Sequence, residues 1–144
     1  MKIGIANDHN GYELKMYLLE YLKNILDYNQ IYDFGTNTKQ PVDYPDYAKK
    51  ITYSIQIGKV DLGVLICQTG IGMSICANRN RFTRAALCNN TRLAELARKH
   101  NNANVLILGS HDLCLKNAKK IVEVFFTSQF QNGRHLPRVQ KLDS

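Results

Sequence analysis

Short apolar runs alternate with stretches of helical period along the whole chain. Residues 2–6 (Lys-Ile-Gly-Ile-Ala) predict a first strand. Leu14, Leu18, Tyr21, Leu22 and Ile25 then recur at helical spacing and predict a helix from about Gly11 to Asp27. Asn10 stands where a helix cap belongs, and Glu13 where the returning half of a capping box falls. Ile31–Phe34 reads as a second, short strand. Asp43-Tyr44-Pro45-Asp46 places a proline and an acid at the start of a second helix, which should run to about Ile57 before Gly58 stops it.

The pattern repeats three more times. Val60–Cys67 is a third strand, almost continuously apolar in its second half, as suits a parallel strand covered on both faces. Thr69-Gly70-Ile71-Gly72 opens a helix to about Asn78, Arg84–Cys88 is a fourth strand, and Thr91–His100 a helix. Asn104–Leu108 is a fifth strand, followed by a long helix from Leu113 to about Phe130. Five β-then-α units in a row predict an α/β fold, a Rossmann-like three-layer sandwich with a five-stranded, mostly parallel sheet. The 144 residues suit one domain, 1–144, and the last eleven, 134–144, lack a core pattern and read as an extended tail.

Composition narrows the setting. No apolar run approaches the ~20 residues of a membrane span, and Met1-Lys2-Ile3-Gly4-Ile5 enters a strand without a signal-peptide pattern, so a cytoplasmic chain with no membrane partner is expected. The four cysteines show no C-x-x-C pair and no zinc spacing, which predicts free thiols and no metal. The formal net charge is +7, which favours anionic partners. The basic residues are scattered, as in Lys49-Lys50, Arg79-Asn80-Arg81 and Lys119-Lys120, and no nucleic-acid recognition motif accompanies them. No nucleic-acid partner is expected, and the excess charge suits small anions.

In open α/β sheets ligands gather beyond the carboxyl ends of the strands. This chain puts Asn7-Asp8-His9-Asn10-Gly11 after the first strand, Cys67-Gln68-Thr69-Gly70-Ile71-Gly72 after the third, and Gly109-Ser110-His111-Asp112 after the fifth. Two glycines flanking Ile71 at a helix N-terminus let backbone N–H groups approach an anion, although a plain tight turn would use them too. A buried strand cysteine is usually just packed. Cys67 differs because it directly precedes that loop, where a helix N-terminus favours thiolate. Asp8 could be only a cap and His9 a surface histidine. His100, beside Asn101, could merely complement a helix dipole. Arg134 and Arg138, four apart, are either a solvated charged tail or a pair that grips a phosphate.

Taken together these segments resemble the ribose-5-phosphate isomerase B family, with its related galactose-6-phosphate isomerase subunits. The likeness rests on Asn7-Asp8-His9-Asn10-Gly11, Asp43-Tyr44-Pro45, Cys67-Gln68-Thr69-Gly70-Ile71-Gly72-Met73-Ser74, Ala77-Asn78-Arg79, His100-Asn101, Asn104-Val105-Leu106, Gly109-Ser110, and Gly133-Arg134-His135 with Arg138. It implies an aldose–ketose isomerase of ribose 5-phosphate and ribulose 5-phosphate that needs no cofactor and no metal. By the same resemblance Cys67 is the base, and Thr69 and His100 help open the sugar ring. The N–H groups of Gly70, Ile71 and Gly72 hold the enediolate. Asp8 and Asn101 meet sugar hydroxyls, and His9, His111, Arg134 and Arg138 meet the phosphate. A homodimer or dimer of dimers with a shared site is implied.

Three positions depart from the family's pattern. Gln68 stands where glycine is usual, so a positive φ there would strain the loop. His111 stands where an arginine often binds phosphate, and imidazole grips phosphate less firmly than guanidinium. Met73 replaces the catalytic glutamate of one branch, which leaves Cys67 as the candidate base. Two alternatives stay open: a hexose-phosphate isomerase acting on allose or galactose 6-phosphate, and a non-catalytic phosphate- or nucleotide-binding module.

Overall fold

The computed structural model describes residues 1–25, 27 and 30–144. Five strands form one sheet: β1 (Ile3–Asn7), β2 (Ile31–Asp33), β3 (Leu62–Cys67), β4 (Ala85–Leu87) and β5 (Val105–Gly109). Their order is β2-β1-β3-β5-β4, and all four pairings are parallel. The helices are α1 (Tyr12–Ile25), α2 (Tyr44–Gln56), α3 (Ile71–Asn78), α4 (Thr91–Asn101), α5 (Leu115–Thr127) and α6 (Leu136–Leu142). The expected α/β sandwich is present. The first helix is expected to end at about Asp27; Leu26, just before that end, lies outside the described residues.

Alternation along the strands explains the three layers. Ile3, Ile5, Val64, Ile66, Leu106 and Leu108 turn to one face and pack against α1, α4 and α5. Ala6, Leu65, Cys67, Val105 and Ile107 turn to the other and meet α2 and α3. Each central strand is therefore buried on both sides, which is why β3 reads as a nearly continuous apolar run. From β1 the chain moves outward to β2 and then crosses to β3 on the opposite side. The carboxyl ends of β1 and β3 thus flank the switch point where open sheets hold ligands.

Local chemistry differs from the expectation at two places. Asp8, not Asn10, caps the turn leading into α1: its Oδ1 accepts from the N–H groups of Asn10 at 2.9 Å and Gly11 at 3.1 Å. A short 3-10 turn, His9–Gly11, intervenes, which moves the first free N–H groups back toward Asp8. Glu13 closes no capping box and pairs with Lys39. The tail expected to be extended is a 3-10 turn, Gly133–His135, followed by α6. Val139 buries itself, and Asp143 meets the Arg84 guanidinium at 2.6 Å, so one apolar anchor and one ion pair fold a segment whose periodicity is too short to read. Among the described residues no helix is long and apolar enough to cross a membrane.

Candidate active site

Backbone hydrogen bonds join the ends of β1, β3 and β5 into one rim. The Asp8 N–H donates to Ile66 O at 3.0 Å, Ser110 N–H to Cys67 O at 2.9 Å, and His111 N–H to Gln68 O at 3.0 Å. The Ser110 hydroxyl adds a bond to Asn10 O at 3.0 Å. Gly11 makes this approach possible, since a Cβ there would lie 2.7 Å from Ile66 O. Asp8, His9, Cys67, Thr69, Gly70, Ile71, Gly72 and His111 consequently share the carboxyl rim.

Cys67 is the last residue of β3 and is buried on the α2/α3 side. Its Sγ accepts the Gly70 N–H at 3.2 Å, while Thr69 Oγ1 accepts the Ile71 N–H at 3.3 Å. Two of the N–H groups expected to form an anion cradle thus already have partners within the loop. Gly70 carries the backbone turn with φ +79°, and a Cβ on it would stand 2.4 Å from Leu87 Cδ1. Gln68 is not among the residues with positive φ, so its side chain brings no backbone strain; the glycine that the turn requires is Gly70. Met73 is fully buried in the α2/α3 core, where it packs rather than reacts.

His9 is oriented by a segment the sequence did not single out. The Val42 N–H donates to His9 Nδ1 at 3.2 Å. In the neutral ring Nδ1 is then the acceptor, and the proton sits on Nε2. The segment leading to Val42 is pinned by Lys15, a fully buried ammonium. Its Nζ reaches both Asp33 carboxylate oxygens at 3.0 Å, Thr36 O at 2.7 Å and Asn37 Oδ1 at 2.8 Å.

The remaining predicted residues are elsewhere. Helix α4 runs antiparallel to the strands, so His100 and Asn101 at its C-terminal end reach the amino rim. There Asn104 O accepts from Gly63 N–H, at the beginning of β3, at 2.9 Å. A six-residue strand at about 3.3 Å per residue separates the two rims by roughly 16 Å. Arg138 lines a cleft of about 300 Å³ with His100, Asn101, His135, Val139 and Leu142, and Arg134 is exposed at the turn before it. The His100 and His135 rings stack, with centroids 4.3 Å apart and planes 12° from parallel. Burial, then the positive neighbours His100, Arg134 and Arg138, hold His135 below the usual histidine range. His135 belongs to the Gly133-Arg134-His135 segment, but sequence spacing does not reveal that its ring meets His100.

The fold and its rim define a doubly wound α/β protein whose candidate chemistry is divided between two ends of one sheet. The family model described as Ribose/Galactose Isomerase matches residues 3–142. Ribose-5-phosphate isomerase B of Escherichia coli is 38% identical, over 98% of this chain and 93% of its own length. A Rickettsia conorii relative, named as a candidate sugar phosphate isomerase without a stated sugar, is 51% identical over 97% of this chain and 96% of its own. The crystal structure of a ribose 5-phosphate isomerase from Thermotoga maritima superposes with a TM-score of 0.95 at 46% identity, covering 99% of this chain and 97% of that one. The chain belongs to the ribose/galactose isomerase family, and sugar-phosphate isomerisation is the activity on which the names of these relatives agree.

Proposed function

We propose that this protein is an aldose–ketose isomerase that interconverts ribose 5-phosphate and ribulose 5-phosphate through an enediolate, with Cys67 as the base. The observation that carries the reading is the Cys67 loop. A sulfur at the end of a central strand accepts the Gly70 N–H, with Thr69 and the Gly70–Gly72 backbone beside it and Asp8 just after the neighbouring strand.

The chemistry follows from these groups. The aldose must first open, and Thr69 and His100 move the proton between the ring oxygen and the anomeric hydroxyl. The Cys67 thiolate then takes the proton from C2 of the aldose. Its electron pair forms the C1–C2 double bond, and the carbonyl oxygen at C1 becomes the enediolate oxygen. Returning the proton from sulfur to C1 while the O2 proton passes to O1 yields the ketose, so nothing is oxidised overall and no co-reactant is consumed. The enediolate charge needs donors where it develops, and the N–H groups around Gly70–Gly72 supply them once the substrate oxygen replaces their partners within the loop. His9 offers its Nε2–H to the phosphate, assisted by His111, Arg134 and Arg138. Asp8 and Asn101 orient the hydroxyls. Phosphate binding away from C1 and C2 assists positioning of the reacting carbons.

Because His100, Asn101, Arg134 and Arg138 stand at the opposite rim from Cys67, the reading requires a second copy of the chain to supply them. An exposed apolar surface supports such pairing. Ile71 and Ile75, one turn apart on α3, are 56% and 61% exposed, with Leu87 against the same loop and Tyr44 against Gly72.

The test is deuterium incorporation at C2 of ribose 5-phosphate in heavy water with EDTA present, followed by NMR. Wild type should exchange and interconvert the two sugars. Cys67→Ala should lose about a thousandfold or more in kcat, within the range of positioned acid–base catalysis. A fully active Cys67→Ala sinks the mechanism. Faster turnover of allose or galactose 6-phosphate transfers the activity to hexoses, and binding without exchange favours the non-catalytic module.

A further inference from the structure

His100 and His135 present two imidazoles to one cleft, but their settings differ. His100 lies on the last turn of α4 and is half-buried; His135 is 9% exposed at the turn entering α6. The rings lie face to face, and this contact restricts rotation of the His100 imidazole about its own side-chain axis. Arg84 secures the arrangement from behind. Its guanidinium joins Asn102 O at 2.9 Å, just after α4, to Asp143 at 2.6 Å, just after α6. The segment carrying His135 is therefore fixed against the helix carrying His100.

We propose that His135 is a positioning residue for the isomerase: its flat ring is the platform that holds the His100 imidazole in the plane needed for proton exchange at the sugar ring oxygen. The inference rests on reading His100 as a ring-opening group. A proton-transfer group must point its lone pair or N–H along the line to the reacting oxygen, and an imidazole free to rotate spends little time there. Two positively charged rings at this spacing repel, and Arg134 and Arg138 add to the positive field. Burial and those neighbours lower the pKa of His135 below the usual histidine value, which favours an uncharged face toward His100.

The experiment compares His135→Phe, His135→Gln and His135→Ala in the full-length protein, reading kcat and KM on ribose 5-phosphate and the NMR shifts of the His100 ring protons. Phe keeps a flat ring without a titrating nitrogen. It should hold kcat within about twofold of wild type, whereas Gln and Ala should lower kcat about tenfold and leave KM within about twofold. The His100 ring protons should stay shielded in the Phe variant and move downfield in the other two. A Phe variant as slow as Gln overturns the proposal, as does a loss that falls on KM, which would make His135 a phosphate-binding group. Shifts unaltered by Gln or Ala overturn it as well. If the Ala variant fails to fold, Phe against Gln decides. If wild type does not turn over ribose 5-phosphate, the substrate reading fails by itself, and the ring-proton shifts still report whether His135 holds His100.

Discussion

The two rims of the sheet are built differently. At the carboxyl rim, strand ends and backbone bonds fix Cys67, Thr69 and Asp8 to the most buried part of the molecule, and even the ammonium behind them, on Lys15, is fully buried. At the amino rim, side chains on a helix end and a C-terminal turn do the positioning, with exposed Arg134 and Arg138 held by ring stacking and one ion pair. A rigid strand-end cradle suits the steps at C1 and C2, where misplacement is costly. An exposed set of cations suits capture of a phosphate. One copy of the chain carries both halves but at opposite ends. Under the proposed function, each copy completes its neighbour's site.

Breaking that division gives the largest expected effect. Cys67→Ala and His100→Gln should each be nearly inactive alone. Mixed at equal amounts under conditions that exchange subunits, half of the dimers pair one of each, and one of their two sites regains Cys67 from one copy and His100 from the other. Activity should recover to about a quarter of wild type, many-fold above either parent. No recovery after demonstrated exchange, measured by the same isomerase assay, would place both groups on one copy's site and contradict the separation of the rims.

A smaller effect separates the rims by stability. Lys15→Met keeps the bulk of a fully buried side chain but removes the cation facing Asp33, Thr36 and Asn37. It should lower the unfolding free energy by about 3 kcal/mol, because it strands a carboxylate and a carbonyl arranged for an ammonium. Arg84→Met breaks a pair that solvent reaches from both partners and should cost about 1 kcal/mol. Urea unfolding midpoints rank the two. Equal losses would show that the amino rim is as firmly built as the carboxyl rim.

Much of this was legible in the chain. All five strands and the helices that follow them appear in the apolar periodicity, because burial of central strands on both faces leaves a strong signal. The rim residues after β1, β3 and β5 were legible for a topological reason: parallel strands send all their carboxyl ends the same way. Distances between elements were not. Asp8 rather than Asn10 caps the first turn because a 3-10 segment shifts the register by two residues, and nothing local in Asp8-His9-Asn10-Gly11 distinguishes the two caps. The helix in the tail depends on Arg84, 59 positions from Asp143, a contact no window of sequence contains. The Val42 N–H on His9 and the His135 ring on His100 escape notice for the same reason. At Gln68 a departure from the family pattern suggested strain, but the positive φ belongs to Gly70, two residues on.

The smallest effect tests whether position at the carboxyl rim alone makes a cysteine functional. Cys88 directly follows β4 and is as buried as Cys67, but it faces the α4/α5 layer. Its thiol donates toward Ala86 O at 3.6 Å, and burial pushes it up to about 11. An unfolded chain releases that proton near the ordinary thiol value of about 8.5. Between these values the folded protein retains a proton that the unfolded chain has lost, so stability contributed by the neutral thiol is present below about pH 8.5 and lost as pH rises toward 11. Wild type should therefore lose about 2 kcal/mol more than Cys88→Ala between pH 8 and pH 10.5 in paired urea titrations, while kcat at pH 7.5 stays within about twofold. Parallel titrations of wild type and variant would mean that Cys88 is not desolvated, and the contrast between the two cysteines would then have to rest on the Gly70 N–H at Cys67 alone.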